Sequence, residues 1–112
     1  MPITQAKPKA ENMATKLLMS WNVRPETENE YFEFLVHDFI PGLNRLGITE
    51  IQVWYTAFGD CEQKMASGIV PTKEDMAKIL KSEEWETLNA RLQQFVTDYR
   101  HKVINGTRGF QL

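Results

Sequence analysis

The first strongly patterned segment of the chain, residues 16–24, alternates its side chains with a period of two. One face carries Leu17, Met19, Trp21 and Val23, and the other carries Leu18, Ser20 and Asn22. A period of two places successive side chains on opposite faces of a strand. We therefore predict a strand here, and we expect Pro25 to end it.

A helical repeat follows, and the sequence Thr27-Glu28-Asn29-Glu30 at its start has the form of a capping box. The large apolar residues then recur at helical spacing and fill one arc of the wheel: Tyr31, Phe32, Leu35, Phe39, Leu43, Leu46. Pro41 has no N–H for the carbonyl of His37, so the helix is expected to bend there. Gly47 suits the left-handed residue that ends many helices.

The second half of the chain begins with two more alternating segments, residues 48–58 and 63–70, which predict a hairpin of two strands. Thr72 and Ser82 suit the first positions of two further helices. The second of these helices is expected to continue along one apolar stripe: Trp85, Leu88, Leu92, Phe95, Val96, Tyr99. Residues 109–112 are assigned to a short final strand.

This order of elements is the βαββαβ pattern of a ferredoxin-like sandwich, an α+β fold. Right-handed crossovers place both helical segments on one face of a single antiparallel sheet. We expect residues 15–112 to form one domain, with residues 1–14 as a flexible N-terminal arm because they show no periodicity.

The two faces of the predicted sheet are both apolar. The side beneath the helices is expected to carry Leu17, Met19, Trp21, Ile51, Val53 and Tyr55. The opposite side is expected to carry Leu18, Trp54, Phe58, Met65 and Ile69. Five large apolar side chains exceed what a monomer usually leaves in water, so a second copy of the chain or a ligand is expected to cover them.

Composition and charge exclude several classes of protein. The 112 residues are 42% hydrophobic and 25% charged, and 13 Lys and Arg against 15 Asp and Glu give a net charge of −2. That charge is too near neutral for a nucleic-acid partner, and no apolar run approaches the ~18 residues that span a bilayer. The chain shows no secretory signal and only Cys61, so we expect a cytoplasmic protein without an internal disulfide.

Few side chains have the spacing of known catalytic or metal sites. His37 and His101 are both expected to face water, and neither has a carboxylate partner at metal-ligand spacing. The six glycines form no phosphate-binding motif, and no nucleophile, base and acid can be assigned together from spacing. The polar groups expected around Trp54 on the uncovered face are Ser20, Asn22 and Gln52, which fit either a small-molecule pocket or the rim of a dimer interface.

Three segments resemble the dimeric α/β-barrel group, which includes antibiotic-biosynthesis-monooxygenase-like proteins. They are Trp21-Asn22-Val23, Phe39-Ile40-Pro41-Gly42-Leu43 and Ile79-Leu80-Lys81-Ser82-Glu83-Glu84-Trp85. The resemblance covers about residues 15 to 112 and is closest to uncharacterised members. It implies that two ferredoxin-like subunits face their sheets together in a homodimer.

The resemblance also implies a function, although the group contains many activities. One interpretation is cofactor-independent oxidation or isomerisation of a small apolar or aromatic compound, with no cofactor. Asn22 would then hydrogen-bond a developing oxyanion, and Trp54 would stack on the substrate. The alternative is a non-catalytic dimeric module for ligand binding or assembly. Haem-degrading members have a histidine on the helix after the third strand, and no histidine lies between Thr72 and Tyr99, which argues against haem ligation.

Overall fold

The computed structural model describes residues 14–58 and 61–105. Four strands and four α-helices follow one another in these ranges. They are β1 (Thr15–Val23), α1 (Glu28–Phe34), α2 (Ile40–Leu46), β2 (Thr49–Phe58), β3 (Cys61–Val70), α3 (Lys73–Lys81), α4 (Glu83–Leu92) and β4 (Val96–Asn105). The predicted order of strands and helical segments is confirmed.

The four strands form one antiparallel sheet in the order β2-β3-β1-β4, which is the ferredoxin-like order. From Thr15 to Trp21, alternate residues of the central strand β1 are fully buried, and those between them are half-buried. The buried set packs with apolar residues of all four helices in a single core. The helices therefore cover one face of the sheet and leave the other uncovered, as predicted.

Two β-bulges interrupt the outer strands. In β2 the register shifts between Thr49 and Gln52, where Glu50 has a φ of +51°. In β4 the register shifts opposite residues 20–22, where Asp98 has a φ of +53°. A bulge adds one residue to one strand, so side chains on either side of it share a face at a spacing of three rather than two.

The bulge in β4 explains the main error of the sequence prediction. The helix that starts at Ser82 ends at Leu92, and Phe95, Val96 and Tyr99 do not continue it. Val96 pairs with Val23, and the Tyr99 ring stacks on Trp21, so both face the helices from a strand. Their spacing of three comes from the bulge and imitates a helical repeat. The final strand is β4, and residues 109–112 lie outside the described residues.

All three predicted helix starts are right, but the expected capping hydrogen bond forms in only two of them. The hydroxyl oxygens of Thr72 and Ser82 each accept a hydrogen bond from the backbone N–H of the residue three positions later in the chain. The distances are 3.0 Å for Thr72 and 3.2 Å for Ser82. Thr27 makes no such bond, and its hydroxyl lies 3.0 Å from the carbonyl of Arg24 and 3.1 Å from that of Phe95. It therefore fastens the loop before α1 to the start of β4.

The long helix predicted around Pro41 is interrupted by a π-helical segment, Leu35–Phe39. There the N–H of Ile40 donates to the carbonyl of Leu35, five residues back. The segment joins α1 to α2, and Pro41 falls in the first turn of α2, where the missing N–H costs least. Gly47 ends α2 with a φ of +107°, as its position predicted.

Trp21 lies at the centre of the core. Its side chain is fully buried, and its ring centroid lies 6.1–6.4 Å from those of Tyr31, Phe39 and Tyr99. The indole N–H donates to the Tyr31 hydroxyl at 3.1 Å, which satisfies a buried donor. Among the described residues, no helix is long and apolar enough to cross a membrane.

Candidate functional site

The uncovered side of the sheet, called the open face here, is organised by strand pairing into two rows. One row crosses all four strands through Trp54, Met65, Ser20 and Arg100. The next row crosses them through Gln52, Ser67, Leu18 and Lys102. The first row is apolar at Trp54 and Met65, and the second is apolar at Leu18. Both rows end on a cation in β4.

A depression of about 320 Å³ lies in the open face over β3, β1 and β4. Its lining, including residues that contribute backbone, consists of Leu18, Met19, Ser20, Met65, Arg100, His101 and Lys102. Leu18 and Met65 are half-buried and supply its apolar surface. The polar groups are the Ser20 hydroxyl and the two cations of β4. An apolar surface with a few polar groups at one side is the usual form of a small-molecule site.

The sequence-predicted site residues all lie on the open face, but the structure does not gather them in one cavity. Ser20 lines the open-face depression. The Asn22 side-chain amide donates to the Asp98 carboxylate at 3.0 Å, beyond the depression. Gln52 and Trp54 lie on the edge strand β2, and Trp54 is 40% exposed. The side chain of Phe58 lies outside the described residues.

Arg100 and Lys102 are the site residues that the sequence analysis missed. They belong to a segment to which the sequence analysis assigned no strand. It therefore did not predict on which side of the sheet their side chains lie. The signal was present in the sequence, because residues 100–104 alternate Arg100 and Lys102 with His101 and Val103. The pairing of β4 with β1 converts that alternation into two cations on one face.

A second depression, called the helix-side groove here, measures about 390 Å³ and lies between α1 and the edge strand β2. Its lining consists of Glu28, Asn29, Tyr31, Phe32, Leu35, Val53, Trp54, Tyr55 and Lys64. Its apolar part is rich in aromatic rings, and Phe32 is 60% exposed. The Lys64 ammonium lies 4.8 Å from the centre of the Tyr55 ring, a cation–π contact.

The two histidines differ in their surroundings. His37 is exposed beside Glu33, 3.4 Å away, as the sequence predicted for its face of the helix. His101 is also exposed, but its Nδ1 lies 3.1 Å from the Tyr99 hydroxyl, and its ring meets the edge of Trp85 at 5.8 Å. His101 is therefore exposed as expected, but its ring also contacts Trp85, because it follows Tyr99 by two residues on a strand and shares its face. Within the described ranges, no three His, Cys, Asp or Glu side chains form a metal-binding group.

Two phenols, the buried Tyr31 and the half-buried Tyr99, have altered acidity. Burial raises the pKa of Tyr31, and the hydrogen bond from Trp21 partly offsets that effect. Burial also raises the pKa of Tyr99, with an opposing contribution from Asn89. Each folded phenol thus stays neutral at a pH where the unfolded chain, with an ordinary phenol pKa near 10, loses its proton.

We expect this difference to make the protein less stable in alkali. The stability contributed by each neutral phenol is fully present below pH 10 and is lost as the pH rises towards the folded pKa. The free energy of unfolding should fall by up to about 1.4 kcal/mol per pH unit for each phenol. Urea titrations between pH 9 and 11 measure this slope. Tyr31→Phe should make the slope shallower, and an unchanged slope in that variant would contradict the assignment.

The fold was compared with known proteins. No family model matches the chain, and no curated protein matches it in sequence. Solved structures do match. A conserved protein from Methanosarcina mazei Go1 has a TM-score of 0.67 at 11% identity, covering 87% of this chain and 96% of that one.

Two further structures show the same likeness. A variant of SnoaB, a cofactor-independent oxygenase from Streptomyces nogalater, has a TM-score of 0.67 at 9% identity, covering 87% of this chain and 95% of that one. An ethyl tert-butyl ether D (EthD) family protein from Bacillus halodurans C-125 has a TM-score of 0.63 at 12% identity, covering 88% and 99%. The chain therefore has the ferredoxin-like fold of these proteins, and the resemblance found in its sequence is confirmed at the level of the fold.

Proposed function

We propose that the chain forms a homodimer through its open face and binds a small apolar or aromatic compound in the open-face depression. The single observation that carries the proposal is that this depression combines an apolar floor with polar side chains that lack partners. Ser20, Arg100 and Lys102 have no side-chain hydrogen bond or ion pair among the described residues. Polar groups without partners beside an apolar surface favour a ligand site.

The homodimer is proposed because the open face is apolar well beyond the depression. Trp54 is 40% and Ile104 39% exposed, while Leu18, Met65 and Ile69 are half-buried. Full burial of one such side chain contributes about 1.5–3 kcal/mol, and association costs about 4–15 kcal/mol. Several of these residues must therefore be covered at once, and the resemblance to dimeric α/β barrels favours a second copy as the cover.

Binding is better supported than catalysis. Asn22 is the candidate for stabilising an oxyanion, but its amide already donates to the Asp98 carboxylate. A negative charge at that distance opposes the approach of an oxyanion. Cofactor-independent oxidation is the second hypothesis, and it is favoured by the fold shared with SnoaB, an oxygenase of that type. The test is to measure oxygen uptake in the presence of phenols. If this hypothesis holds, the wild type should take up oxygen and Asn22→Ala should not.

The helix-side groove is the alternative ligand site. Two of its polar groups are already engaged, because the Tyr31 hydroxyl accepts from Trp21 and Lys64 lies over Tyr55, although Glu28 and Asn29 also line it. The two sites can be separated with a neutral aromatic probe, 2-naphthylmethanol, and methyl NMR. Shifts at Leu18 and Met65 support the open-face depression. Shifts confined to Leu35 and Val53 would instead assign the ligand to the groove.

The homodimer is tested with two neighbouring aromatic residues on opposite faces of β2. Sedimentation at micromolar concentration should give a mass near twice 13.0 kDa. Trp54→Ala should weaken the dimer by about 30-fold, because a buried interface tryptophan commonly contributes 2 kcal/mol or more. Tyr55→Ala should leave it unchanged, since Tyr55 lies on the helix side and is 59% exposed. A monomeric wild type, or equal effects of both substitutions, contradicts the proposal.

A further inference from the structure

The geometry points to a ligand that carries a carboxylate, held by Arg100 and Lys102 while its apolar body lies against Leu18 and Met65. This inference rests on the proposed binding function and adds the chemical class of the compound. It depends on three observations: the placement of the two cations, their lack of partners and the charge of the surrounding surface.

The two cations are held side by side on β4. Arg100 pairs with Ser20 and Lys102 pairs with Leu18, so both side chains leave the same face of the sheet. Residues two apart on a strand are separated by about 7 Å, a distance that allows both cations to reach one carboxylate. The planar arginine head group can bind both carboxylate oxygens, and the Ser20 hydroxyl is a further donor on the depression wall.

The lack of partners distinguishes Arg100 from the arginines of the helical layer. Arg45 binds the carboxylate of Glu84 at 2.9 Å, and Arg91 binds that of Asp38 at 2.8 Å. Arg100 and Lys102 have no such carboxylate within the described ranges. The fold thus neutralises two exposed arginines on its helical side and leaves both cations of the depression open to an anion from outside.

Among the described residues, the neighbouring side chains do not supply that anion. Lys16 pairs with Ile104 and adds a third cation to the open face. Asp98 lies on β4 itself, but it forms no ion pair with Arg100 or Lys102, and its carboxylate accepts from the Asn22 amide at 3.0 Å. In the proposed homodimer each copy brings these cations to the enclosed space, and a buried charge without a counter-charge is costly. A carboxylate ligand lowers that cost, so it should also strengthen the dimer.

The apolar half of the depression excludes a simple inorganic anion as the best ligand. Leu18 and Met65 lie in the middle of the two rows, where Leu18 is directly beside Lys102 and Met65 is separated from Arg100 by Ser20. An inorganic anion leaves this apolar surface unused, whereas an aromatic or aliphatic carboxylate covers it. The thioether of Met65 suits an aromatic ring, since sulfur makes favourable contacts with ring edges.

The experiment compares two probes of the same shape that differ in charge, 2-naphthoate and 2-naphthylmethanol. Isothermal titration calorimetry with the wild-type protein should show that 2-naphthoate binds at least about tenfold more tightly, because hydrogen bonds between charged groups are the stronger kind. Arg100→Gln and Lys102→Gln should each lower the affinity for 2-naphthoate by about tenfold and leave that for the alcohol unchanged. Lys81→Gln, an exposed cation of α3, is the control and should change neither.

The outcomes separate this inference from the proposed function. If the two probes bind the wild type with equal affinity and shift the methyl signals of Leu18 and Met65, the inference that the ligand carries a carboxylate is wrong. The proposed binding site is then still supported. Absence of binding by either probe overturns both. A loss of 2-naphthoate affinity in Lys81→Gln equal to that in Arg100→Gln shows a general effect of net charge and also overturns the inference. Circular dichroism checks that each variant is folded.

Discussion

Replacing Trp21 with alanine is expected to lower the free energy of unfolding by about 3–5 kcal/mol, the range for removing a large aromatic side chain from a core. The side chain is fully buried and touches aromatic rings from α1, the π-helical segment and β4. Its loss leaves a cavity between the sheet and the helices. It also removes the donor to the buried hydroxyl of Tyr31.

Urea unfolding followed by far-ultraviolet circular dichroism measures this effect. Trp54→Ala is the matched control, because Trp54 is 40% exposed on the other face of the same sheet. At a protein concentration low enough to remove any contribution from dimers, that substitution should cost less than about 1 kcal/mol. Similar losses in the two variants would show that the core does not lie on the helix side of the sheet.

The contact between Ile48 and Gly68 is expected to show strong coupling in a double-mutant cycle. Ile48 is fully buried between α2 and β2, and a Cβ added at Gly68 would overlap its Cγ2 methyl. Gly68→Ala should cost about 1–3 kcal/mol through overpacking, and Ile48→Ala about 2–5 kcal/mol through a cavity. The double variant should lose less than the sum, by about 1 kcal/mol or more, since the new methyl occupies part of the cavity.

Gly42→Ala provides the control for this cycle. Its added Cβ would lie 2.6 Å from a methyl of Leu88, and the three atoms nearest to it all belong to Leu88 rather than to Ile48. Its cost should therefore add to that of Ile48→Ala within about 0.5 kcal/mol. Additivity for Gly68 and Ile48 as well would contradict the close packing of β3 against the start of β2.

The sequence predicted best where a local pattern and tertiary packing agree. In β1 every second residue from Thr15 to Trp21 is buried, so a period of two was enough to assign the strand and both its faces. Ser82 and Thr72 were assigned correctly because a cap is a local interaction over three residues. Thr27 has the same local pattern, yet its hydroxyl reaches the carbonyl of Phe95, a contact over 68 residues. No local pattern contains that information.

The candidate site was predicted less well for the same reason. Placing Ser20 and Asn22 on the uncovered face required the period of β1 alone. Placing Arg100 and Lys102 beside them required the pairing of β4 with β1, about 80 residues away in sequence. The separation of Gln52 and Trp54 from Ser20 depends on the strand order, which inserts β3 between them.

The two bulges have a consequence for how the protein can associate. The outer strands β2 and β4 each leave one row of backbone N–H and carbonyl groups unpaired within the described sheet, and such edges tend to join other chains edge to edge. Glu50 and Asp98 distort both rows with residues of positive φ, and β4 adds charged side chains along its edge. A bent and charged edge is a poor template for a further strand. The fold thus discourages growth of the sheet by the addition of strands from other chains. Two copies of the chain are better able to associate through their sheet faces than through their strand edges.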